Sequence, residues 1–149
     1  MKQIKLTQRK YALVDDGDFE WLSRIQWRYH SKGYAVGGKT GRALWMHRII
    51  ANTPDGMFTD HIDGDKLNNQ RGNLRVATKA QNGWNSVKPK NNTSGYKGVS
   101  WNCVQRKWVA RICINGKILS LGYFSLAIEA DRAYNEAVKQ YHGEFARLN

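Results

Sequence analysis

The sequence predicts an α+β protein made of two small domains, and three observations support this. The chain has 149 residues, a length that suits one domain or two small ones. Short runs rich in Val, Ile and aromatic residues alternate with turn residues, as strands do. Residues 85–94 are rich in Asn, Lys and Ser and contain Pro89, a composition typical of a linker. We therefore predict domains at 1–86 and 95–149, joined by a linker at 87–94.

The first 55 residues predict short structural elements. Two strands are expected at 3–6 and 10–14, followed by an acidic turn at 15–18 and a short helix at 19–24. The three aspartates of that turn raise the idea of a calcium loop. An EF-hand, however, needs a twelve-residue ligand pattern with a terminal Glu, so a simple turn is favoured. The aromatic residues of this region are expected in the core: Trp21, Trp27, Tyr34 and Trp45.

The central segment, residues 60–85, carries the chemistry. Asp60 stands beside His61, Asn73 follows the histidine by twelve residues, and Asn82 follows nine later. Carboxylate and carboxamide oxygens suit a hard divalent cation such as Mg²⁺. An imidazole near a metal, but not bound to it, can take a proton from water near neutral pH. These residue types suffice to hydrolyse a phosphodiester.

The local patterns around these residues predict a strand, a loop, a second strand and a helix. Residues 58–62 form an apolar-rich strand that ends in Asp-Gly-Asp turn chemistry. In the second strand, Leu74 and Val76 are expected to be buried, while Asn73 and Arg75 face outward. The helix is expected to begin at the Thr-Lys-Ala-Gln sequence of residues 78–81, a capping box.

This segment resembles the HNH endonucleases with a ββα-metal fold, in particular their phage and intron-homing branch. The matching pattern is Asp-His, an Asn-rich loop, Asn-Leu-Arg, and an Asn on the helix. The resemblance implies that Asp60 and Asn82 bind the metal, that His61 is the general base, and that Asn73 orients His61. Asn82 stands where the family name expects a second His. A carboxamide there favours Mg²⁺ or Mn²⁺ over Zn²⁺.

The alternative interpretation of the segment is a polar loop without a metal, because Asp-Gly and Asn-Asn are ordinary turn residues. Three nearby arginines, Arg48, Arg71 and Arg75, are candidates to neutralise phosphate beside the metal. His47 precedes them in a stretch that also resembles phage HNH enzymes. A structural role is favoured for His47, with a phosphate contact as the alternative.

Charge indicates the partner. The chain has 24 Lys and Arg against 12 Asp and Glu, a formal charge of +12, which favours nucleic acid. Between residues 84 and 122 there are seven cations and no acid, whereas all four acids of the second half follow residue 125. No long apolar run or signal peptide is visible, so no membrane association is expected. Cys103 and Cys113 do not form a Cys-x-x-Cys pair, and a reducing cytosol fits them best.

The C-terminal part predicts a three-stranded antiparallel sheet packed on one α-helix. Strands are expected at 96–101, 108–114 and 118–123, and Asn115-Gly116 predicts a tight hairpin turn. The following helix has apolar residues at steps of three and four, from Ala127 to Tyr141. Two sets of side chains are expected to alternate along the middle strand. Trp108, Ala110, Ile112 and Ile114 would face the helix, and Val109, Arg111 and Cys113 would face outward.

This region resembles the plant APETALA2 (ethylene-response-factor) DNA-binding domain, also found as the tail of phage HNH enzymes. The matching residues are Tyr-Lys-Gly-Val at 96–99, Trp-Val-Ala-Arg-Ile at 108–112, Leu-Gly-Tyr-Phe at 121–124, the Ala-rich helix, and Asn149. In that family the outer face of the sheet enters the major groove. The residues at or near its contact positions are Lys97, Ser100, Arg111, Cys113 and Ser120.

Several plant contact residues are Arg or Trp where this chain has Ser100, Cys113 and Ser120, so the plant sequence preference is not expected to transfer. Trp101 and Arg106 are added as contacts on expected exposure alone. The alternative is a basic sheet that tethers the protein to DNA without reading bases.

The sequence thus predicts a Mg²⁺- or Mn²⁺-dependent DNA endonuclease, targeted to double-stranded DNA by its C-terminal domain. It would be a phage or mobile-element protein that acts in the host cytoplasm. A monomer is favoured and a dimer is the alternative, and both nicking and double-strand cleavage stay open. The alternative function is a DNA-binding regulator with a degenerate nuclease fold. The intact set Asp60, His61, Asn73 and Asn82 favours the enzyme.

Overall fold

The computed structural model describes residues 1–38, 43–114 and 116–148. The chain divides into two compact units, Met1–Lys79 and Ala80–Asn149. This division falls before the predicted linker at 87–94, and the predicted domain boundaries stay a prediction. None of the described helices is long and apolar enough to cross a membrane.

The first unit consists of short strands and short helices. Its strands are β1 (Lys2–Lys5), β2 (Tyr11–Val14), β3 (Trp27–Tyr29), β4 (Ala35–Gly37), β5 (Leu44–Trp45), β6 (Phe58–His61) and β7 (Leu74–Ala77). Its helices are α1 (Asp16–Ser23), α2 (Met46–Ile50) and a 3₁₀ turn, Arg71–Asn73. The strands form three antiparallel sheets, β1-β2, β3-β4-β5 and β6-β7. The two N-terminal strands predicted at 3–6 and 10–14 are confirmed within one residue at each end.

Helix α1 begins earlier than predicted. Its first residue is Asp16 rather than Phe19, and Asp16 and Asp18 lie in its first turn. Carboxylates there interact favourably with the positive end of the helix dipole. The expected acidic turn is therefore the start of the helix itself.

One apolar core holds the first unit together. Its buried members are Ile4, Leu6, Ala12, Val14, Leu22, Trp27, Ala35, Met46 and Ile50. Of the four aromatic residues predicted to be core, Trp27 is buried and Trp21 packs against the cluster. Tyr34 and Trp45 are instead half-buried and contact each other edge-on, with ring centroids 5.8 Å apart. Both rings lie beside histidines, so the prediction of a core role was wrong for them.

The second unit is a sheet of three strands covered by one long helix. The elements are α3 (Lys79–Trp84, which begins in the first unit), β8 (Val99–Asn102), β9 (Lys107–Ile114), β10 (Lys117–Phe124), α4 (Ala127–His142) and a 3₁₀ turn, Gly143–Phe145. The strand order is β10-β9-β8, with both pairs antiparallel. These elements confirm the predicted sheet and helix, except that the first strand begins at Val99 rather than at Tyr96. Asn149, part of the resemblance in this region, lies outside the described residues.

The connection between β9 and β10 is as short as predicted. Ile114 pairs with Lys117, so two residues join the strands. Asn115 lies outside the described residues. Gly116 has a φ of +77°, a conformation that glycine adopts without steric cost. A tight hairpin is therefore confirmed at this position.

The helix-facing side of the sheet follows the predicted alternation. Val99, Ala110, Ile112, Ala130, Tyr134, Ala137 and Val138 form the buried cluster between sheet and helix, and Trp108 and Ile114 pack against it. Gly98 lies so close to the Tyr134 ring that an added Cβ would come within 2.1 Å of it. A glycine is therefore required where the chain passes under α4.

The outward side of β9 departs from the prediction at one residue. Arg111 and Cys113 are exposed as expected. Val109, which was predicted to face outward into solvent, is 0% exposed. It lies on the central strand, in register with Ser100 on one neighbour and Tyr123 on the other. A residue on the central strand has a neighbouring strand on each side, and an exposed position cannot be inferred from alternation alone.

Candidate active site

The β6-β7 hairpin holds the central residues of the site. Asp60 is in register with Arg75, and His61 with Leu74. Asp60 and His61 are each 5% exposed, although both carry polar groups that are costly to bury without partners. The strand predicted at 58–62 is confirmed and ends at His61.

Asp60 is paired with Arg75 across the hairpin. The Arg75 Nε and one terminal guanidinium nitrogen each lie 2.8 Å from Asp60 Oδ2. The Arg75 side chain is 14% exposed, and Val76 is 38% exposed. The predicted facing of β7, with Val76 buried and Arg75 outward, was therefore wrong. A buried carboxylate requires a cation beside it, and this requirement outweighs the apolar alternation.

The His61 ring lies among an amide and aromatic rings. Its Nε2 is 3.4 Å from Asn69 Oδ1, and its ring centroid is 5.3 Å from that of His47 and 6.0 Å from that of Tyr34. Burial lowers the pKa of His61 below its usual value, and the Asn69 contact and nearby carboxylates only partly oppose this. The imidazole is therefore neutral at neutral pH, the form that accepts a proton.

His47 is a second buried imidazole beside the first. Burial, with smaller contributions from His61 and Arg48, lowers the pKa of His47 to about 3. Among the described residues, its Nδ1 is buried without a hydrogen-bond partner. The Tyr34 ring lies 4.8 Å from the His47 ring. The sequence left the role of His47 open, and the structure places it against the ring of His61.

A network of hydrogen bonds stabilises the loop between β6 and β7. The Asn73 side chain donates to Asp63 Oδ1 at 2.9 Å and to the Asn68 carbonyl at 2.8 Å, and its Oδ1 accepts from the Asp63 backbone. Asn68 donates to the other Asp63 oxygen at 2.7 Å. Burial acts to raise the pKa of Asp63, but the bonds from Asn68, the Asp65 backbone and Asn73 outweigh it, and the pKa is lowered.

Asn73 is thus placed to hold the loop that follows His61. Its backbone carbonyl also accepts a hydrogen bond from the Ile62 amide at 2.9 Å. The amide oxygen of Asn69 faces the His61 ring at Nε2, and the Asn73 side chain contacts Asp63 and Asn68. The orienting role of Asn73 stays a prediction.

The N-terminal helix contacts the same loop. Arg71 forms a two-point contact with Asp18, through Nε and a terminal nitrogen at 2.7 Å each. The Arg71 amide donates to Asp15 Oδ2 at 2.8 Å, and Gln70 donates to Asp15 Oδ1 at 3.1 Å. Two of the aspartates that raised the idea of calcium therefore accept hydrogen bonds from the site loop. These contacts could not be predicted from the sequence, since the partners are 53 to 56 positions apart.

Of the three arginines predicted beside the phosphate, Arg48 also has intramolecular partners. One terminal nitrogen donates to the Met57 carbonyl at 2.7 Å and the other to the Pro54 carbonyl at 3.1 Å. Arg48 thus closes the turn that leads into β6. Arg71 has the most accessible side chain of the ion pairs in this site, 61% exposed. DNA contacts by Arg48, Arg71 and Arg75 stay predictions.

Helix α3 carries Asn82. The helix begins at Lys79, directly after Thr78, as the capping pattern predicted. Asn82 is half-buried in the middle of it. In chain order, β6, the Asn-rich loop, β7 and α3 follow the predicted sequence of elements. The metal-binding role of Asn82 stays a prediction.

The predicted contact residues of the second unit differ in exposure. Those that are exposed are Ser100, Trp101, Arg106, Arg111, Cys113 and Ser120. Lys97 is half-buried, and its ammonium donates to the carbonyls of Trp84 and Ser86. Burial and the nearby Arg147 lower the pKa of Lys97 to about 8. Lys97 is therefore positioned to hold the chain at 84–86, and its DNA contact stays a prediction.

Comparison with known proteins shows which protein family this chain belongs to. The family described as HNH endonuclease matches residues 45–84. An uncharacterized HNH endonuclease, L560 of Acanthamoeba polyphaga mimivirus, is 30% identical over 145 residues, which cover 93% of this chain and 74% of the relative. The chain belongs to the HNH endonuclease family. It is therefore a DNA endonuclease.

Two other relatives of this HNH endonuclease cover less of the chain. Protein 3.8 of Escherichia phage T7 is 38% identical over 95 residues, 64% of this chain and 78% of that protein. The Dehydration-responsive element-binding protein 2A of Oryza sativa subsp. indica is 41% identical over 66 residues, 41% of this chain and 23% of that protein. No solved structure matches the chain.

HNH endonucleases generally use a divalent metal, and the donors of this HNH endonuclease fit one. Asp60 is a buried carboxylate whose Oδ2 accepts a hydrogen bond from Arg75. A carboxylate has about four acceptor positions. The Arg75 contact therefore leaves the carboxylate chemically able to ligate a cation as well. Carboxylate and carboxamide oxygens are the donors that hard cations prefer.

Proposed function

We propose that this HNH endonuclease hydrolyses a phosphodiester of double-stranded DNA with one Mg²⁺ or Mn²⁺, bound by Asp60 and Asn82. Support comes from the oxygen-only donors, because a carboxamide in place of a second imidazole disfavours Zn²⁺. The proposed arrangement is the ββα-metal motif, formed by β6, β7 and α3 with the loop between the strands. When bound, the metal would supply positive charge to the scissile phosphate and the leaving oxygen.

His61 is the proposed general base. The observation that carries this proposal is its burial in neutral form beside the Asp60 carboxylate. His61 takes a proton from water, and the water oxygen attacks phosphorus. The bond between phosphorus and the 3′-oxygen breaks, and the 3′-oxygen is protonated from solvent. The products are a 5′-phosphate and a 3′-hydroxyl.

Asn73 is proposed to orient His61 by holding the backbone on both sides of the loop. Its carbonyl bonds the Ile62 amide and its side chain bonds Asp63, the two residues that follow His61. Arg71, with its accessible side chain, is the arginine best suited to contact phosphate. Arg75 acts first on Asp60, because its guanidinium is nearly buried against that carboxylate.

The C-terminal domain is proposed to bind DNA in the manner of an APETALA2 domain, with residues 95–149 as that domain and 87–94 as the linker. Three antiparallel strands backed by one helix support this, as does the partial match to the rice element-binding protein. Arg111 on the central strand and Arg106 in the β8-β9 turn would contact DNA, together with Ser100, Trp101 and Ser120 on the exposed strands. Lys97 would support the domain from within.

The phage and mimivirus relatives support a protein that acts on DNA in the host cytoplasm. A monomer with one metal site is proposed. Such an enzyme cuts one strand per encounter, and a double-strand break would require two visits or a dimer.

Cleavage of supercoiled plasmid and phage genomic DNA tests the chemistry. We expect cleavage with Mg²⁺ or Mn²⁺, none in excess chelator, and a 10²–10⁴-fold loss in His61→Ala, about what removal of a general base costs. His30→Ala is the matched control, since His30 contacts Trp45 and the Lys32 amide in the same unit. Full activity of His61→Ala, or cleavage that survives the chelator, would reject the proposed mechanism. A regulator with a degenerate nuclease fold would bind DNA without cutting it.

A further inference from the structure

Asn69 is a fully buried polar residue that the sequence did not single out. It lies in the loop between β6 and β7 and is 0% exposed. Buried amides are found with hydrogen-bond partners, because an unpaired one loses its hydration without replacement. The partners of Asn69 therefore indicate why an amide occupies this position.

The contacts of Asn69 determine which end of its amide faces His61. Its Nδ2 donates to the Leu67 carbonyl at 3.1 Å. Its Oδ1 is then the atom that lies 3.4 Å from His61 Nε2. A carbonyl oxygen only accepts, so the ring nitrogen facing it is the one that carries the proton. A neutral imidazole has one N–H, and Nδ1 is then its proton-accepting nitrogen.

We propose that Asn69 is the positioning residue of His61, holding the imidazole in the Nε2–H tautomer so that Nδ1 takes the proton from water. This inference rests on the proposed role of His61 as general base. A hydrogen bond to one ring nitrogen fixes both the ring orientation and the identity of the basic nitrogen. The contact also strengthens as His61 becomes cationic, because hydrogen bonds from charged donors are stronger.

The N-terminal hairpin holds Asn69 in place. The Leu13 amide donates to the Leu67 carbonyl at 2.8 Å, and the Asn69 amide donates to the Leu13 carbonyl at 2.8 Å. These two bonds form a short parallel bridge between β2 and the loop. Leu13 lies outside residues 45–84, which match the HNH family. The strand that precedes the family segment thus takes part in positioning the base.

Asn69 and Asn73 make different contacts and are proposed to have different roles. The Asn73 side chain bonds Asp63 and Asn68 and stabilises the loop, whereas the Asn69 oxygen faces the ring itself. Loss of Asn73 would loosen the loop backbone. Loss of the Asn69 oxygen would remove the acceptor that selects the tautomer.

The direct test is the tautomer of His61 in the full-length protein. Long-range ¹H–¹⁵N NMR of histidine-labelled protein distinguishes a proton on Nε2 from one on Nδ1, and His61→Gln assigns the signal. We expect the Nε2–H form in the wild-type protein. A wild-type His61 protonated on Nδ1 would overturn the proposal, whatever the variants do.

Three variants extend the test to catalysis. Asn69→Leu removes the acceptor at similar volume and should lower kcat by about 10–100-fold at saturating Mg²⁺, with an unchanged KM for DNA. Asn69→Asp keeps an oxygen facing Nε2 and should recover part of that loss together with the Nε2–H signal. Asn68→Ala is the matched control. It removes a loop hydrogen bond to Asp63 and should keep the tautomer.

The outcomes separate this inference from the proposed function. If Asn69→Leu keeps both the wild-type kcat and the Nε2–H form, Asn69 does not position His61. Should Asn69→Leu fail to fold, the wild-type tautomer and the rate of Asn69→Asp still decide. If His61 is not the general base, His61→Ala should cleave DNA at the wild-type rate. That result does not affect the measurement of the His61 tautomer in the wild-type protein.

Discussion

The two units use the same kinds of side chain in opposite ways. In the first unit, Arg75 and Arg71 bond buried carboxylates, and Asp60 and His61 are each 5% exposed. In the second unit, Arg111 and Ser120 are exposed on the sheet. A catalytic group, the role proposed for His61, must be held rigidly and partly desolvated, which requires partners. A surface that binds DNA, the role proposed for this sheet, must leave its donors accessible to the ligand.

The largest expected effects come from Asn82 and Asn73, the two asparagines of the proposed active site. Asn82→Ala should weaken metal binding about 10–100-fold, so added Mg²⁺ should restore part of its cleavage rate. Asn73→Ala should instead lower the rate at saturating metal, because it loosens the loop after His61. Initial rates measured across a Mg²⁺ titration distinguish the two. Equal rescue of both variants by metal would show that ligand and orienting residue are assigned wrongly.

The proposed DNA contacts of the exposed sheet in the second unit are tested at Arg111. If Arg111 reads a base edge, Arg111→Ala should relax discrimination at one position by about 1–3 kcal/mol. Binding to a set of sites that differ at single positions measures this. Arg132→Ala, which removes an exposed arginine from α4, is the control for charge alone. An even loss across all sites, equal to that of Arg132→Ala, would indicate backbone contact only.

Arg71 and Arg24 together test whether an ion pair with a buried carboxylate stabilises the first unit more than an exposed ion pair does. Arg71→Met leaves the buried Asp18 carboxylate without its main partner and should cost about 1–3 kcal/mol of unfolding free energy. Arg24→Met breaks an ion pair whose side chains are 74% and 84% exposed, and should cost about 0–1 kcal/mol. Urea unfolding of both variants gives the difference. Equal costs would mean that the Asp18 contact contributes no more than a surface pair.

The stabilisation that the Arg71–Asp18 pair contributes is expected to depend on pH. Hydrogen bonds from Arg71 lower the pKa of Asp18 despite its burial. A carboxyl whose folded pKa is depressed stabilises the fold above its unfolded pKa of about 3.9, and this contribution is lost as pH falls through the folded pKa. Arg71→Met should therefore lose less stability below pH 4 than at pH 7.

A second pH dependence comes from the buried histidine His47. The pKa of His47 falls from 6.5 to about 3 on folding, so below pH 6.5 the unfolded chain binds a proton that the folded chain does not. Stability should therefore decrease as pH falls through this window, by about 1.4 kcal/mol per pH unit for one histidine. Unfolding free energies at pH 7.0, 6.0 and 5.0 check the sign. His47→Phe should flatten the dependence, and an unchanged slope would exclude His47 as its source.

Much of the fold could be predicted because its signals are local. Strands β1, β2, β6 and β7, the sheet of the second unit, the tight turn before Gly116 and the helix α4 all follow from patterns within a few residues. The short elements β3, β4, β5 and α2 were not predicted. The errors have two causes, one local and one tertiary. Helix α1 begins early because Asp16 and Asp18 interact favourably with the dipole in its own first turn. Val109 is buried because it lies on the central strand, between two neighbouring strands.

The residues of the proposed site can be recognised in the sequence, but their hydrogen-bond partners cannot. Asp60, His61, Asn73 and Asn82 stand out because carboxylate, imidazole and carboxamide groups at these spacings indicate metal-assisted hydrolysis. Asn69 carries no such signal, since Asn-Asn is also a common turn sequence. Its burial and its contact with His61 exist only once β2 lies against the loop.

By itself, the sequence determined the residue types of the proposed site, the sheet and helix of the second unit and the strongly positive net charge, because these follow from composition and short-range periodicity. Only the tertiary structure decided which arginine bonds which carboxylate, which amide faces the His61 ring and which lysine is half-buried. These choices join residues as far apart as Asp18 and Arg71. Hydrogen bonds over that separation are set by the packing of whole elements, which no local pattern records.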